Sequence, residues 1–256
     1  MSLAIEITVK SACPIRCGFC PQDKLAANYK GAEKAFTLSN FALLLTKIPV
    51  NCAVHFSGFV EPFTNFSTPA FIQMAKESKR EVHLYTTLVG LDRVAAEMIA
   101  GFPPNFTRIH VPDQKAMLVP DDKWIGLHQI WFKYSGTPAT YMSMGPRTPA
   151  VQQYLDSLNI TVEEPTMLSR GGNLWDRPRL TRKIYCAMNR WHQNVVLPNG
   201  DVLLCCMIYD LSVKLGNLFT QPYSEIYEAA ESVKKMAESG SAPDICRKCE
   251  WAGTLE

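Results

Sequence analysis

From position 3 to about position 168, short strand-like runs alternate with helix-like ones, and this alternation limits the chain to few architectures. Strand-like runs fall at 3–9, 53–57, 82–87, 108–111, 140–144 and 161–168. Helical patterns fall at 38–47, 69–78, 91–100 and 149–158, with a weaker one inside 121–134. A βα alternation predicts an α/β fold: parallel strands joined by crossover helices, with functional groups at the strands' C-terminal ends.

The character changes near Gly171. Arg170, Arg177, Arg179, Arg182 and Lys183 form a short basic connector. Residues 194–197 and 202–206 then read as a hairpin turning at Asn199-Gly200. A helical stretch from about 222 to 239 follows, and Cys246-Arg247-Lys248-Cys249 stands near the end. The expected division is a main unit over 1–180 and a small one over 181–256, whose thin core calls for a metal staple.

The 256 residues are 47% hydrophobic, enough for one large core plus an appendage. A net charge of +2 argues neither for a nucleic-acid surface nor for an acidic tail. No run approaches the roughly 18 apolar residues of a membrane span. The N-terminal run alternates like a strand, carries Glu6 and lacks a basic start with an apolar stretch behind it. A soluble, cytoplasmic protein is expected. The nine cysteines therefore point to metal rather than to disulfides.

Cys13, Cys17 and Cys20 lie within eight residues directly after the first strand-like run. A zinc site usually wants four ligands, whereas a [4Fe–4S] cluster takes one thiolate per iron, so three thiolates leave one iron open. Cys-x3-Cys-x2-Cys, with Phe19 before its last cysteine, resembles the radical S-adenosylmethionine (radical SAM) superfamily. The resemblance implies a partial, TIM-like (β/α) barrel of five or six parallel strands. It also implies that the open iron chelates SAM, whose reductive cleavage yields a 5′-deoxyadenosyl radical that abstracts a substrate hydrogen. Ser57-Gly58-Phe59-Val60-Glu61-Pro62 resembles the family's Gly-Gly-Glu-Pro element, which holds the methionine amino group, with Val60 where glycine is common. Thr86 and Thr87, in Tyr85-Thr86-Thr87-Leu88-Val89-Gly90, resemble the segment near the SAM ribose; strand propensity and a turn glycine explain the same residues. Ser169-Arg170-Gly171-Gly172-Asn173 is similar to a run that would bring Arg170 to a carboxylate.

Thirteen residues separate Cys186 from Gly200, and four more precede Cys205. With Cys246 and Cys249, this pattern resembles the SPASM/Twitch extensions of the same family, in the shorter Twitch form with one auxiliary [4Fe–4S] cluster. On spacing alone, a four-cysteine zinc site built on the hairpin fits as well. Four thiolates would saturate an auxiliary cluster and suit it to electron transfer. Cys206 adjoins Cys205 and should face the other way, to pack or to give a hydrogen atom to a substrate radical. Cys52 reads as core.

His55, His83 and His110 sit in strand-like contexts, where structural roles are usual. Asp113 reads as a turn cap or a proton acceptor, and Tyr141, Met144 and Arg147 as possible pocket residues. Length and cysteine plan are similar to enzymes of the 2-deoxy-scyllo-inosamine dehydrogenase type. That likeness implies oxidation of a secondary alcohol on a sugar or cyclitol, the auxiliary cluster taking an electron. Epimerisation and peptide modification are the rival enzyme readings, and a non-enzymatic iron–sulfur or zinc protein is the remaining one. The expected partners are a small-molecule substrate and a one-electron reductant such as flavodoxin or ferredoxin, without nucleic acid or membrane.

Overall fold

The computed structural model describes residues 3–114, 116–117 and 119–255. Its strands in chain order are β1 (Ala4–Ile7), β2 (Arg16–Cys17), β3 (Ala53–Phe56), β4 (Val82–Thr86), β5 (Phe106–His110), β6 (Ala116–Met117), β7 (Thr140–Met142), β8 (Val162–Glu163), β9 (Ile184–Cys186), β10 (Gln193–Val196), β11 (Asp201–Leu203), β12 (Lys214–Asn217) and β13 (Ala252–Thr254). The helices are α1 (Gln22–Asn28), α2 (Leu38–Lys47), α3 (Thr68–Glu77), α4 (Arg93–Gly101), α5 (Asp121–Ile130), α6 (Pro149–Ser157), α7 (Tyr223–Glu238) and α8 (Asp244–Arg247).

Nine strands form one sheet in the order β12-β11-β10-β1-β3-β4-β5-β7-β8. From β1 to β8 every pairing is parallel, as expected for the six strand-like runs. The crossover helices start where the sequence supplies caps. Thr37 accepts from Asn40 N–H at α2, Asp92 from Ala95 N–H at α4, and Thr148 from Val151 N–H at α6. Residues 161–168 form a strand only at Val162–Glu163, because Pro165 has no N–H to give a ladder. The weak pattern over 121–134 becomes α5 and a wider helical turn, Trp131–Ser135, closed by Gly136 at φ 58°.

The C-terminal hairpin is not a sheet of its own. β10 pairs parallel with β1, and β11 and β12 follow antiparallel. All four residues of β1 are buried, so this strand needs a neighbour on each side, and Val195 and Val196 of β10 supply one. The expected change near residue 180 is a change of partners within one continuous apolar cluster. A separate ribbon of β9 and β13 closes the C-terminal region beside α7.

Along the parallel strands the side chains alternate. Ile5, Ile7, Val54, Phe56, Leu84 and Ile109 are buried with Phe41 and Leu44 of α2, Phe71 and Ile72 of α3 and Ile99 of α4. Each such side chain contributes about 1.5–3 kcal/mol. The alternate positions, Glu6, His55, Tyr85 and Arg108, line a cavity on the other side. No helix among the described residues is long and apolar enough to cross a membrane.

Candidate active site

The cavity, about 410 Å³, opens where β1, β3, β4 and β5 end. Cys13, Cys17 and Cys20 line it, as do Phe19, Ser57, Gly58, Glu61, Thr86, Thr87 and Arg170. The cysteine loop is held locally: β2 pairs with β6, and Cys20 N–H donates to Cys17 carbonyl at 3.0 Å. Phe19 stacks on His110, ring centroids 4.6 Å apart, and so anchors the loop to β5.

Gly58 is required by a close approach. A Cβ there would stand 2.6 Å from Ile7 carbonyl oxygen and 2.5 Å from Thr8 Oγ1. The chain leaving β3 therefore runs against the end of β1, and Phe59 N–H donates to Thr8 Oγ1 at 3.2 Å.

Glu61 interlocks with the two threonines. Its Oε1 accepts from Thr86 Oγ1 at 2.6 Å and Phe63 N–H at 3.2 Å. Its Oε2 accepts from Thr87 N–H at 2.6 Å and Thr87 Oγ1 at 2.7 Å. Burial raises the carboxyl's pKa, and these donors work in the opposite direction. Residues expected as separate cofactor contacts thus form one unit that ties the turn after β3 to the end of β4.

Ser169 does not line the cavity; it is fully buried, and its hydroxyl accepts from Gly172 N–H at 2.9 Å. Its backbone N–H donates to Glu250 Oε1 at 2.5 Å, and Gly171 N–H to Glu250 Oε2 at 3.4 Å. Between them Arg170 takes φ 58°, uncommon for a residue with a side chain. Asn173 Nδ2 holds the Arg170 carbonyl at 2.8 Å. Among the described residues the Arg170 guanidinium meets no hydrogen-bond or ion-pair partner, and it faces the cavity.

The floor of the cavity was not anticipated. Glu6 lies buried with Oε2 accepting from Ser57 Oγ at 3.0 Å and Oε1 3.4 Å from Arg190 Nη1. Burial raises its pKa, while Arg190 and Ser57 lower it. His55 pairs across from Glu6 and stacks on His83 at 4.3 Å; burial, then His83 and Arg190, push its pKa down to about 3. Arg108 pairs with Glu163 at 3.0 Å. The signal in the sequence was Glu6 itself, a lone carboxylate inside an apolar strand.

Of the other candidates, Met144 and His110 line the cavity, whereas Tyr141 and Arg147 do not. Tyr141 hydroxyl pairs with His128 at 2.9 Å, and Arg147 with Glu164 at 2.8 Å. Asp113 accepts from Met144 N–H at 2.6 Å and so braces the loop after β7.

A second, smaller cavity is lined by Cys186, Cys205, Cys246 and Cys249, with Trp191 and Trp251. The β9–β13 ribbon delivers Cys186, and a turn from Cys246 carbonyl to Cys249 N–H at 3.3 Å delivers the other pair. Among the described residues no three His, Cys, Asp or Glu groups are arranged around a single metal ion. Four thiols on one cavity match a four-iron centre in number, one thiolate per iron. Cys206 lines the larger cavity and Cys52 lies in the core. Arg190 and Trp251 line both cavities, the guanidinium 5.4 Å from the Trp251 ring.

Residues 186–250 match the SPASM family, an iron–sulfur cluster-binding domain. No curated protein matches the chain by sequence. BtrN, solved with AdoMet and 2-DOIA, shares 18% identity over 98% of this chain and 93% of its own, with TM-score 0.69. anSMEcpe with bound AdoMet shares 13% over 97% and 86%, with TM-score 0.64. Streptococcus suis SuiB bound to precursor peptide SuiA shares 12% over 89% and 64%, with TM-score 0.65. The chain has the fold of these solved structures, the partial (β/α) barrel expected from the first cysteine motif, and the SPASM match falls on the second cysteine set.

Proposed function

We propose that the chain is a radical SAM oxidoreductase that converts a secondary alcohol of a sugar or aminocyclitol to a ketone. The observation that carries this reading is the cavity floor: Glu6, His55, Tyr85, Arg108 and Arg190 face a chamber whose rim holds Cys13, Cys17 and Cys20. Its volume, about 410 Å³, suits a small molecule, and its polar groups suit hydroxyls and amines. Cys13, Cys17 and Cys20 would hold the SAM-binding [4Fe–4S] cluster, and Cys186, Cys205, Cys246 and Cys249, within residues 181–256, an auxiliary one. When bound, these groups and SAM supply a hydrogen-abstracting 5′-deoxyadenosyl radical and an acceptor for one electron.

The protein's own part is positional and acid–base. Loss of the carbinol hydrogen atom, one proton and one electron makes the ketone, and the proton needs an acceptor. Glu6 is that acceptor in this reading, because a buried carboxyl with a raised pKa is a stronger base than a solvated one. Arg190 holds Glu6 in place, and Arg170 has donors free for a carboxylate of SAM or substrate. A flavodoxin or ferredoxin in the cytoplasm is the proposed reductant.

One observation favours a second reading. Cys206 lines the larger cavity, where its thiol could give a hydrogen atom back to a substrate radical, which makes the enzyme an epimerase.

Anaerobically reconstituted protein should hold about eight irons and release 5′-deoxyadenosine from SAM under reduction. Incubation with sugar alcohols and aminocyclitols in deuterated water then separates the readings. A product two mass units lighter supports the dehydrogenase. An isomer carrying solvent deuterium supports the epimerase, and activity on peptides alone sinks both.

A further inference from the structure

Cys20 stands between the two halves of the chain. Its Sγ lies 3.4 Å from the Tyr209 hydroxyl and 3.2 Å from Gln22 Nε2. Gln22 is a near neighbour in sequence. Tyr209 comes from 189 positions away, in the loop that follows Cys205 and Cys206.

That loop is held firmly. Ile208 N–H donates to Cys205 carbonyl at 3.2 Å, Tyr209 N–H to Met207 carbonyl at 3.0 Å, and Asn173 Nδ2 to Met207 carbonyl at 3.1 Å. The Tyr209 ring lies 4.2 Å from that of Phe59, centroid to centroid, and the residue is 5% exposed. Packing therefore fixes where the hydroxyl points, and it points at a cysteine of the first motif.

A thiolate bound to iron can only accept hydrogen bonds, so a tyrosine hydroxyl at that distance must donate. Donors to cluster sulfurs favour the reduced state, in which the sulfurs carry more negative charge.

We infer that Tyr209 donates a hydrogen bond to the Cys20 thiolate and raises the reduction potential of the cluster on Cys13, Cys17 and Cys20. Tyr209 is a positioning residue, and through it the C-terminal unit sets how readily the catalytic cluster accepts its electron. The inference rests on the proposed radical SAM reading.

The test is Tyr209→Phe in the full-length reconstituted enzyme, which keeps the ring against Phe59 and removes only the hydroxyl. Iron content, a potentiometric titration of the EPR signal that SAM perturbs, and SAM cleavage are measured against wild type. The expected result is full iron, a more negative midpoint potential and SAM cleavage about tenfold slower with a mild reductant. A stronger reductant should restore the rate, which it could not do for a misfolded site. An unchanged potential with full iron overturns the inference, and loss of iron in Y209F does so too by assigning Tyr209 to cluster assembly. A wild-type protein that neither holds a cluster nor cleaves SAM overturns the radical SAM reading first, so the two failures are distinguishable.

Discussion

Cys205 and Cys206 are adjacent in the chain and line different cavities, Cys205 the one with Cys186, Cys246 and Cys249, Cys206 the one with the first cysteine motif. The two thiols therefore have different consequences when lost. If Cys205 holds the proposed auxiliary cluster, Cys205→Ser should lower iron by about four per chain, with SAM cleavage retained. Cys206→Ser should keep full iron. Iron and sulfide analysis of the two reconstituted variants checks this, and equal iron loss in both would remove the distinction.

Glu250 is the residue that puts Arg170 in place. Its carboxylate binds the backbone N–H groups on either side of a residue at φ 58° and pairs with Arg177 at 3.4 Å. Glu250→Ala leaves two inward N–H groups without an acceptor and should lower stability by about 2 kcal/mol. SAM binding should weaken about tenfold, or 1.4 kcal/mol, because Arg170 loses its orientation. Thermal unfolding and calorimetric SAM titration measure the two effects. Wild-type SAM affinity in E250A would show that Glu250 does not orient Arg170 toward SAM.

The buried titratable groups give opposite pH signs. Burial, with His83 and Arg190, holds His55 down at about 3, and burial holds His128 at about 4. Both bases are depressed, so their contribution to stability is full above the unfolded value near 6.5 and is lost as pH falls toward those values. Each pH unit in that window removes up to about 1.4 kcal/mol per group. Glu6 is raised by burial, so its contribution is full below an unfolded value near 4.3 and is lost as pH rises through the raised value. Turnover should run the other way and increase with pH as Glu6 loses its proton. Glu6→Gln should cut turnover about 100-fold or more and remove that limb of the profile, while His55→Phe should flatten the acid limb of stability. Denaturant titrations and rates from pH 4 to 9 decide both.

Much of this was legible because periodicity and spacing are local properties. Strands around Ile5, Val54 and Leu84 announce themselves by alternation, and the cysteine motifs by spacing. What was not legible depends on partners distant in sequence. Nothing near Glu6 foretells Arg190, 184 positions away, and nothing near Ser169 foretells Glu250. Thr86 and Thr87 were placed at the right strand end, yet their hydroxyls bind Glu61, since a buried carboxylate takes the nearest donors. The pairing of the C-terminal hairpin with β1 was not legible either, because it leaves no mark in the hairpin's own pattern.

Gly58 offers the sharpest structural test, because the motif and the geometry give it different reasons to be glycine. As a cofactor contact it would matter only with SAM bound. In the structure, a Cβ at this position would meet Ile7 carbonyl oxygen and Thr8 N, both at 2.6 Å, and backbone atoms in a buried strand end cannot yield cheaply. Gly58→Ala should therefore destabilise the free protein by about 1–3 kcal/mol, with no SAM present. Because Phe59 follows directly and its N–H binds Thr8, the shift should also reach the Tyr209 ring that rests on Phe59. Chemical denaturation of the cluster-free variant is the measurement. Wild-type stability there, with SAM binding lost only after reconstitution, would return Gly58 to the role the motif implied.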